Sequence, residues 1–307
     1  KMKLGVVIVT YNRLELLKEC ITACINQKEE FQKILIINNA STDGTKEYLE
    51  NLQYSNLEII NSNKNLGGSG GFWLGINKAM ELDLDYLLLI DDDAILDYNY
   101  NKAISDYIRN NDENIVAYSG TVITNNSIQF EHRRHLKNGF KCIDSTPEEY
   151  NQEYFDYNLS TFCGLYVSMK IIRKIGLPCK EFFIWFDDTE YSLRINQYGK
   201  IRNINKALLN HKTKISNLKG YTWKSYYGLR NQIVVIKKYF SKFTLIKFIG
   251  SMLILIIGGK IMRILKNDEY YENVSEIYKD AIIDGLNNNL GKNDKYIPGI
   301  EFKKRSV

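Results

Sequence analysis

Residues 85–96 read DYLLLIDDDAIL: an apolar block, three consecutive aspartates at 91–93, and a second apolar stretch. Leu87, Leu88, Leu89 and Ile90 predict a buried strand. Three like charges at the end of such a strand repel one another and are costly to desolvate, so Asp91, Asp92 and Asp93 require a compensating partner. Which partner that is depends on where the strand ends, and therefore on the fold around it.

Upstream, KLGVVIVTYN (3–12) has the pattern of a buried strand ending in polar residues, and RLELLKECITACINQ (13–27) carries apolar residues at helical spacing. KILIINNASTDG (33–44) repeats the scheme, with Ser41, Thr42 or Asp43 as N-cap for GTKEYLENLQ (44–53). LEIINSNKN (57–65) predicts a third strand, GGFWLGINKAMELD (70–83) a third helix and YLLLIDDD (86–93) a fourth strand. This alternation implies an α/β fold with a mainly parallel sheet covered on both faces.

In open parallel sheets, ligands sit beyond the carboxyl ends of the strands. All four ends are polar here: TYNR (10–13), NNAST (38–42), NSNKN (61–65) and the aspartates. The triplet therefore lies on the expected binding face, where a hard divalent cation that bridges carboxylates to phosphates would compensate it. Gly67, Gly68, Gly70, Gly71 and Gly75 in NKNLGGSGGFWLG (63–75) read as a loop that lets backbone approach a phosphate at a helix N-terminus. A dinucleotide fingerprint fails, because counting from Gly68 and Gly70 the third glycine would fall on Trp73.

Further along, FEHRRHLKNGFKCIDSTPEEYNQEYFDYN (130–158) reads as an irregular excursion, with His132 and His135 as surface residues. FFIWFDDTEYSLR (182–194) places Asp187, Asp188 and Glu190 at the start of a helix, where acids are stabilised anyway. Trp185 and Phe186 beside these carboxylates also suit a sugar site: a ring to stack on and a group to move a proton. His211 ends a strand-like run (201–212) and gains weight as a ligand from the carboxylate cluster. Arg230 and Asn231 lie among aromatics, and an arginine there could clamp phosphate.

From Trp223 the chain reads as helical to about residue 290, followed by a basic tail, KKRSV (303–307). The pattern divides the chain into a catalytic domain, 1–220, and a helical, membrane-associating region, 221–307. FIGSMLILIIGG (248–259) falls short of the roughly 20 residues that cross a bilayer. Flanked by Lys237, Lys238, Lys242, Lys247, Lys260, Arg263 and Lys266, it reads as a helix lying in a membrane interface, or as a buried helix with a basic rim.

Composition narrows the classes. At 307 residues and 44% hydrophobic, the chain can bury a large core, and its net charge of +5 is mild. The basic residues gather around the apolar segment whereas the candidate site is acidic, which argues against nucleic acid. Five cysteines without a CxxC pair predict reduced thiols and a cytoplasmic setting, and no secretory signal pattern is expected.

In this order, VVIVTYNR (6–13), IINNASTDGT (36–45), NLGGSGGF (65–72), IDDDA (90–94), WFDDTEYSLR (185–194), Asn210-His211 and YYGLRNQ (226–232) resemble the family 2 glycosyltransferases of GT-A fold, and among them the bacterial galactofuranosyltransferases. The resemblance covers roughly residues 3–240. It implies that Thr10, Tyr11, Asn12, Arg13 and Asn39 hold the nucleotide, with Asn65, Gly67, Gly68, Gly70, Gly71, Asp91 and Asp92 along the rest of the nucleotide-sugar. It implies Asp93 and His211, with Asp91, as ligands to Mn2+ or Mg2+. Asp188 would be the general base, Asp187 and Glu190 would bind acceptor hydroxyls, Trp185 would be the acceptor platform, and Arg230 and Asn231 would sit near the diphosphate or acceptor.

The implied activity is inverting, metal-dependent transfer of galactofuranose from UDP-galactofuranose to a lipid-linked glycan in cell-surface polysaccharide assembly, at the inner face of the membrane. The chain is short beside polymerising members, so a single transfer is expected, by a monomer or a homo-oligomer. A rhamnosyltransferase using dTDP-rhamnose and a non-catalytic sugar-nucleotide-binding protein are the alternatives.

Overall fold

The structure, a computed structural model, describes residues 2–110, 114–212, 220–300 and 302; the basic tail at 303–307 lies outside them. The chain forms two compact units. One comprises Lys1–Leu136, Cys142–Cys179 and Asp188–Lys214, and the other Lys137–Lys141, Lys180–Asp187 and Ile215–Val307. The helical region thus takes in two short segments from earlier in the chain.

In the first unit the expected alternation is present: β1 (Leu4–Thr10), α1 (Leu14–Ile25), β2 (Lys33–Asn38), α2 (Thr45–Glu50), β3 (Leu57–Asn61), α3 (Gly67–Ala79) and β4 (Tyr86–Asp91). Every residue of β1 is buried, as a central strand between two helical layers requires. β1 pairs in parallel with β2 and β4, and β2 with β3. Their carboxyl ends are in register: Thr10 lies opposite Asn38, Asn38 opposite Asn61, and Val9 opposite Asp91.

Beyond the triplet come β5 (Ala94–Leu96), α4 (Tyr100–Arg109) and β6 (Ile115–Thr124). The sheet continues past β4 through the strand Leu165–Ser168, β6, the strand Lys200–His211 and the strand Tyr154–Tyr157. Leu165–Ser168 runs antiparallel to both its neighbours, so the sheet is mixed on this side. The excursion is more ordered than its composition suggested: it supplies that edge strand and a small sheet containing Arg133–Lys137 and Lys141–Asp144.

The glycine stretch departs from expectation. α3 begins at Gly67, so these glycines are largely helical and not a loop. A Cβ on Gly71 would lie 2.5 Å from Val9 Cγ1 and one on Gly75 2.3 Å from Val7 Cγ1. They let α3 sit directly on β1, a packing requirement that in sequence resembles a phosphate cradle. Only Gly67, at φ 72°, needs a backbone that other residues avoid.

The second unit is built from helices Trp223–Tyr239, Lys242–Lys266 and Tyr270–Asn287 around a core that includes Tyr226, Tyr227, Ile233, Met252 and Ile277. The run 248–259 was expected to be too short to span a bilayer; the helix that contains it has 25 residues and is long and apolar enough to cross one.

Candidate active site

Asp91 ends β4, Asp92 and Asp93 form the turn into β5, and the pairing of β5 fixes their surroundings. Ala94 lies opposite His211 in an antiparallel register, so the imidazole is delivered to the carboxylate one residue before. His211 Nε2 is 3.3 Å from Asp93 Oδ1. From the other side, Arg13 Nη1 donates to Asp93 Oδ2 at 2.7 Å and to Asp92 Oδ1 at 3.1 Å, and the Thr10 hydroxyl donates to Asp92 Oδ2 at 2.7 Å. The compensation the sequence demanded therefore comes first from the chain itself. Arg13, expected at the nucleotide, has its guanidinium on the aspartates.

The three carboxylates differ in proton affinity. Burial, together with the charges of Asp93 and Asp92, raises Asp91 to about 7. Burial raises Asp92 to about 6 against the opposing pull of Arg13 and Thr10. Burial acts on Asp93 as well, but His211 and Arg13 outweigh it and hold this carboxyl below its ordinary value. His211 is correspondingly raised: burial opposes its charge, but Asp93 and Asp91 favour it more.

Asp93 Oδ1 is buried and accepts no well-formed hydrogen bond among the described residues. An orphaned carboxylate oxygen facing an imidazole nitrogen fits the donor set of a divalent cation. Among the described residues no three His, Cys, Asp or Glu side chains converge on one point, so Asp91 does not complete the expected set with Asp93 and His211. A cation here would be held by those two and complete its shell from ligand oxygens, as magnesium sites that carry phosphates do.

The other nucleotide-side residues have defined tasks. Asn39 is buried; its amide donates to Asn65 Oδ1 and Gly67 O, and its oxygen accepts from Leu66 N. It ties the end of β2 to the start of α3. Asn12, at φ 53°, accepts from Thr42 N at 2.7 Å, joining the β1 and β2 ends. Tyr11 stays 39% exposed, with its ring available to a ligand.

The acidic cluster begins the helix Asp187–Ile195. Asp187 and Glu190 are buried and Asp188 is half-buried. Glu190 is paired with Arg194 at 2.7 Å, which ties it to its own helix. Burial raises the Asp188 carboxyl above its ordinary value, opposed by Arg134 and by hydrogen bonds from Thr189. Arg134 Nη2 donates to Thr189 Oγ1 at 3.2 Å, and its buried Nε has no hydrogen-bond partner among the described residues.

Five residues went unread or misread in sequence. Arg134 and Thr189 were not singled out. His132 and His135, expected on the surface, are half-buried: His132 stacks edge-on to His211 with centroids 5.1 Å apart, and His135 Nε2 meets Glu149 at 2.7 Å. Arg133 is wholly buried, donating to the carbonyls of Gly120, Cys163 and His132 and to Asn203 Oδ1. Side chains alternate across a strand, so RR in Arg133–Lys137 sends one arginine to each face. That was the available signal.

In the second unit, Arg230 and Asn231 are 1% and 0% exposed. Arg230 Nε donates to Asn231 Oδ1, and the pair's other hydrogen bonds go to backbone carbonyls of residues 181, 182, 184, 185 and 291. Trp185, on the segment they hold, is 46% exposed.

Residues 5–176, more than half of the chain, match the family described as glycosyl transferase family 2. The chain belongs to that family. Within family 2 it is 32% identical over 88 residues to a galactofuranosyltransferase of Mycolicibacterium smegmatis, covering 29% of each chain. It is 24% identical over 310 residues to the GalNAc(5)-diNAcBac-PP-undecaprenol beta-1,3-glucosyltransferase of Campylobacter jejuni, covering 99% of this chain and 89% of that one. A solved structure of GalNAc-T7 with UDP, GalNAc and Mn2+ superposes with TM-score 0.64 at 18% identity, over 78% of this family 2 chain and 48% of the other. The likeness is one of fold, and the expected GT-A architecture is the one found.

Proposed function

We propose that the protein transfers a single sugar, galactofuranose from UDP-galactofuranose, to a lipid-linked oligosaccharide acceptor, with inversion and with Mn2+ or Mg2+ bound at Asp93 and His211. The observation that carries this reading is the orphaned Asp93 Oδ1 facing His211 Nε2 on the binding edge of a nucleotide-sugar fold. A cation there supplies charge neutralisation for the departing diphosphate. Tyr11, Asn12 and Thr10 line the nucleotide side. Asp188, with its raised proton affinity, takes the proton of the acceptor hydroxyl. The hydroxyl oxygen bonds to the anomeric carbon as the bond to the diphosphate oxygen breaks, and one displacement inverts that centre.

A glucosyl donor is the competing reading, because the relative that aligns with almost the whole chain is named a glucosyltransferase and its name gives an undecaprenol-linked acceptor. The test is release of UDP or dTDP from a panel of UDP-galactofuranose, UDP-glucose and dTDP-rhamnose, with Mn2+ and undecaprenyl-diphosphate-linked acceptors. Release from none of the donors overturns the reading, and release from UDP-glucose alone replaces galactofuranose.

We further propose that the protein works at the cytoplasmic face of the membrane, with the helix Lys242–Lys266 lying in the lipid interface. Phe243, Ile246, Ile254, Ile257, Ile261 and Ile264 are each more than half exposed and fall on one side of this helix, while Met252 and Gly259 are buried on the other. Gly259 abuts Ser275 of the neighbouring helix so closely that a Cβ would meet its hydroxyl at 2.3 Å. A helix packed along one face against the charged helix Tyr270–Asn287 suits an in-plane position better than a crossing, and Lys242, Lys247, Lys260 and Lys266 can meet anionic headgroups.

A further inference from the structure

The segment Phe182–Phe186 combines two features that seldom occur together without a reason. Phe183, Trp185 and Phe186 have φ of 65°, 65° and 71°, in the left-handed region that bulky side chains avoid. Such a backbone persists only where its surroundings over-determine it. Here they do. Asn231 Nδ2 donates to the carbonyls of Phe182 at 3.0 Å, Ile184 at 3.1 Å and Trp185 at 2.9 Å. Arg230 Nη2 donates to Phe182 O at 3.1 Å, its Nη1 to Gly291 O at 2.8 Å, and its Nε to Asn231 Oδ1 at 3.0 Å. One turn earlier on the same helix, Gly228 leaves room for the Trp185 ring: a Cβ would lie 2.8 Å from Trp185 Cε3. One helix thus captures the carbonyls of the segment and shapes the seat of its exposed indole.

We propose that Asn231, Arg230 and Gly228 are positioning residues that hold the strained aromatic segment so that Trp185 meets the acceptor sugar at a fixed angle. The proposal rests on the reading of Trp185 as the acceptor platform. It assigns the buried arginine–asparagine pair to acceptor geometry and not to diphosphate binding. Donor binding should then be indifferent to the pair, while acceptor use should depend on it.

The test uses the full chain and the variants Asn231→Ala and Gly228→Ala. Limited chymotrypsin digestion, with cuts located by mass spectrometry, reads the segment itself. Asn231→Ala should raise cleavage after Phe182–Phe186 at least tenfold relative to cuts elsewhere; an unchanged ratio overturns the clamp. Calorimetric binding of UDP with Mn2+ should stay within twofold of wild type in both variants, and a larger loss assigns the pair to the donor and overturns the proposal. With the donor and acceptor that turn over in the panel, both variants should raise the acceptor KM at least fivefold, and unchanged values in both overturn the positioning role. If Asn231→Ala does not melt cooperatively, Gly228→Ala decides, since it displaces only the indole and places a good helix former in a helix. If wild type turns over no donor, the functional reading fails while the digestion still decides the clamp.

Discussion

Asp92 supplies the sharpest prediction, because its burial and proton affinity together fix a number. The residue is 2% exposed, and its carboxyl sits at about 6 against 3.8 in an open chain, chiefly through burial. An acid whose folded pKa exceeds its unfolded value binds more protons when folded in the interval between the two. The free energy of unfolding therefore falls as pH rises through that interval and stays low above it. The difference of about 2 units corresponds to about 3 kcal/mol in total, at about 1.4 kcal/mol per unit. Integrating the two titrations places roughly half of it, about 1.4 kcal/mol, between pH 5 and pH 8. Asp92→Asn removes this titration while leaving Arg13 its bond to Asp93, so the variant should gain about 1.4 kcal/mol on wild type across that range. Urea denaturation of both proteins in chelator at pH 5, 6.5 and 8 measures the difference directly. Parallel pH profiles, or a variant that loses ground as pH rises, would refute a buried, ionised Asp92.

Asp188→Asn should lower kcat by about 10²- to 10⁴-fold, the usual contribution of a positioned base, with UDP binding by calorimetry unchanged. His211→Ala should weaken Mn2+ binding measured by paramagnetic resonance at least tenfold, and chelation should abolish turnover until Mn2+ is restored. Arg133→Met leaves several buried carbonyls without a donor and should lower stability by about 3 kcal/mol or more, read as a drop in melting temperature. Ile254→Glu with Ile257→Glu should abolish co-sedimentation with vesicles containing anionic lipid without changing the melting temperature, and persistent co-sedimentation would remove the Lys242–Lys266 helix from the interface.

The legible parts of this molecule were those in which one physical demand dominates. Four apolar runs with polar ends dictated a parallel sheet and its binding edge, and the structure aligns Thr10, Asn38, Asn61 and Asp91 along that edge. The illegible parts are those where two demands leave the same trace. Gly71 and Gly75 resemble a phosphate loop because close helix–strand packing and close approach to a ligand both exclude a Cβ. Arg230 resembles a phosphate clamp because a guanidinium matches backbone carbonyls as well as it matches oxyanions. The in-chain partners of the triplet were hidden for another reason: they come from Arg13 and from a strand that ends at His211, and only tertiary pairing brings them to Asp93.

Those partners also divide the triplet into separate tasks. Each oxygen of Asp92 accepts one internal hydrogen bond, Oδ2 from Thr10 and Oδ1 from Arg13. Asp93 has one oxygen engaged by Arg13 and one left over, aimed toward His211. A carboxylate held on one side by Arg13 is oriented before any ligand arrives, which lowers the ordering cost of binding. In the proposed cation site Arg13 would do at Asp93 what a hydrogen-bonding partner behind a metal ligand ordinarily does. The consecutive charges that looked destabilising in DYLLLIDDDAIL are shared among different partners: Arg13 bridges Asp92 and Asp93, Thr10 holds Asp92, and His211 lies against Asp93.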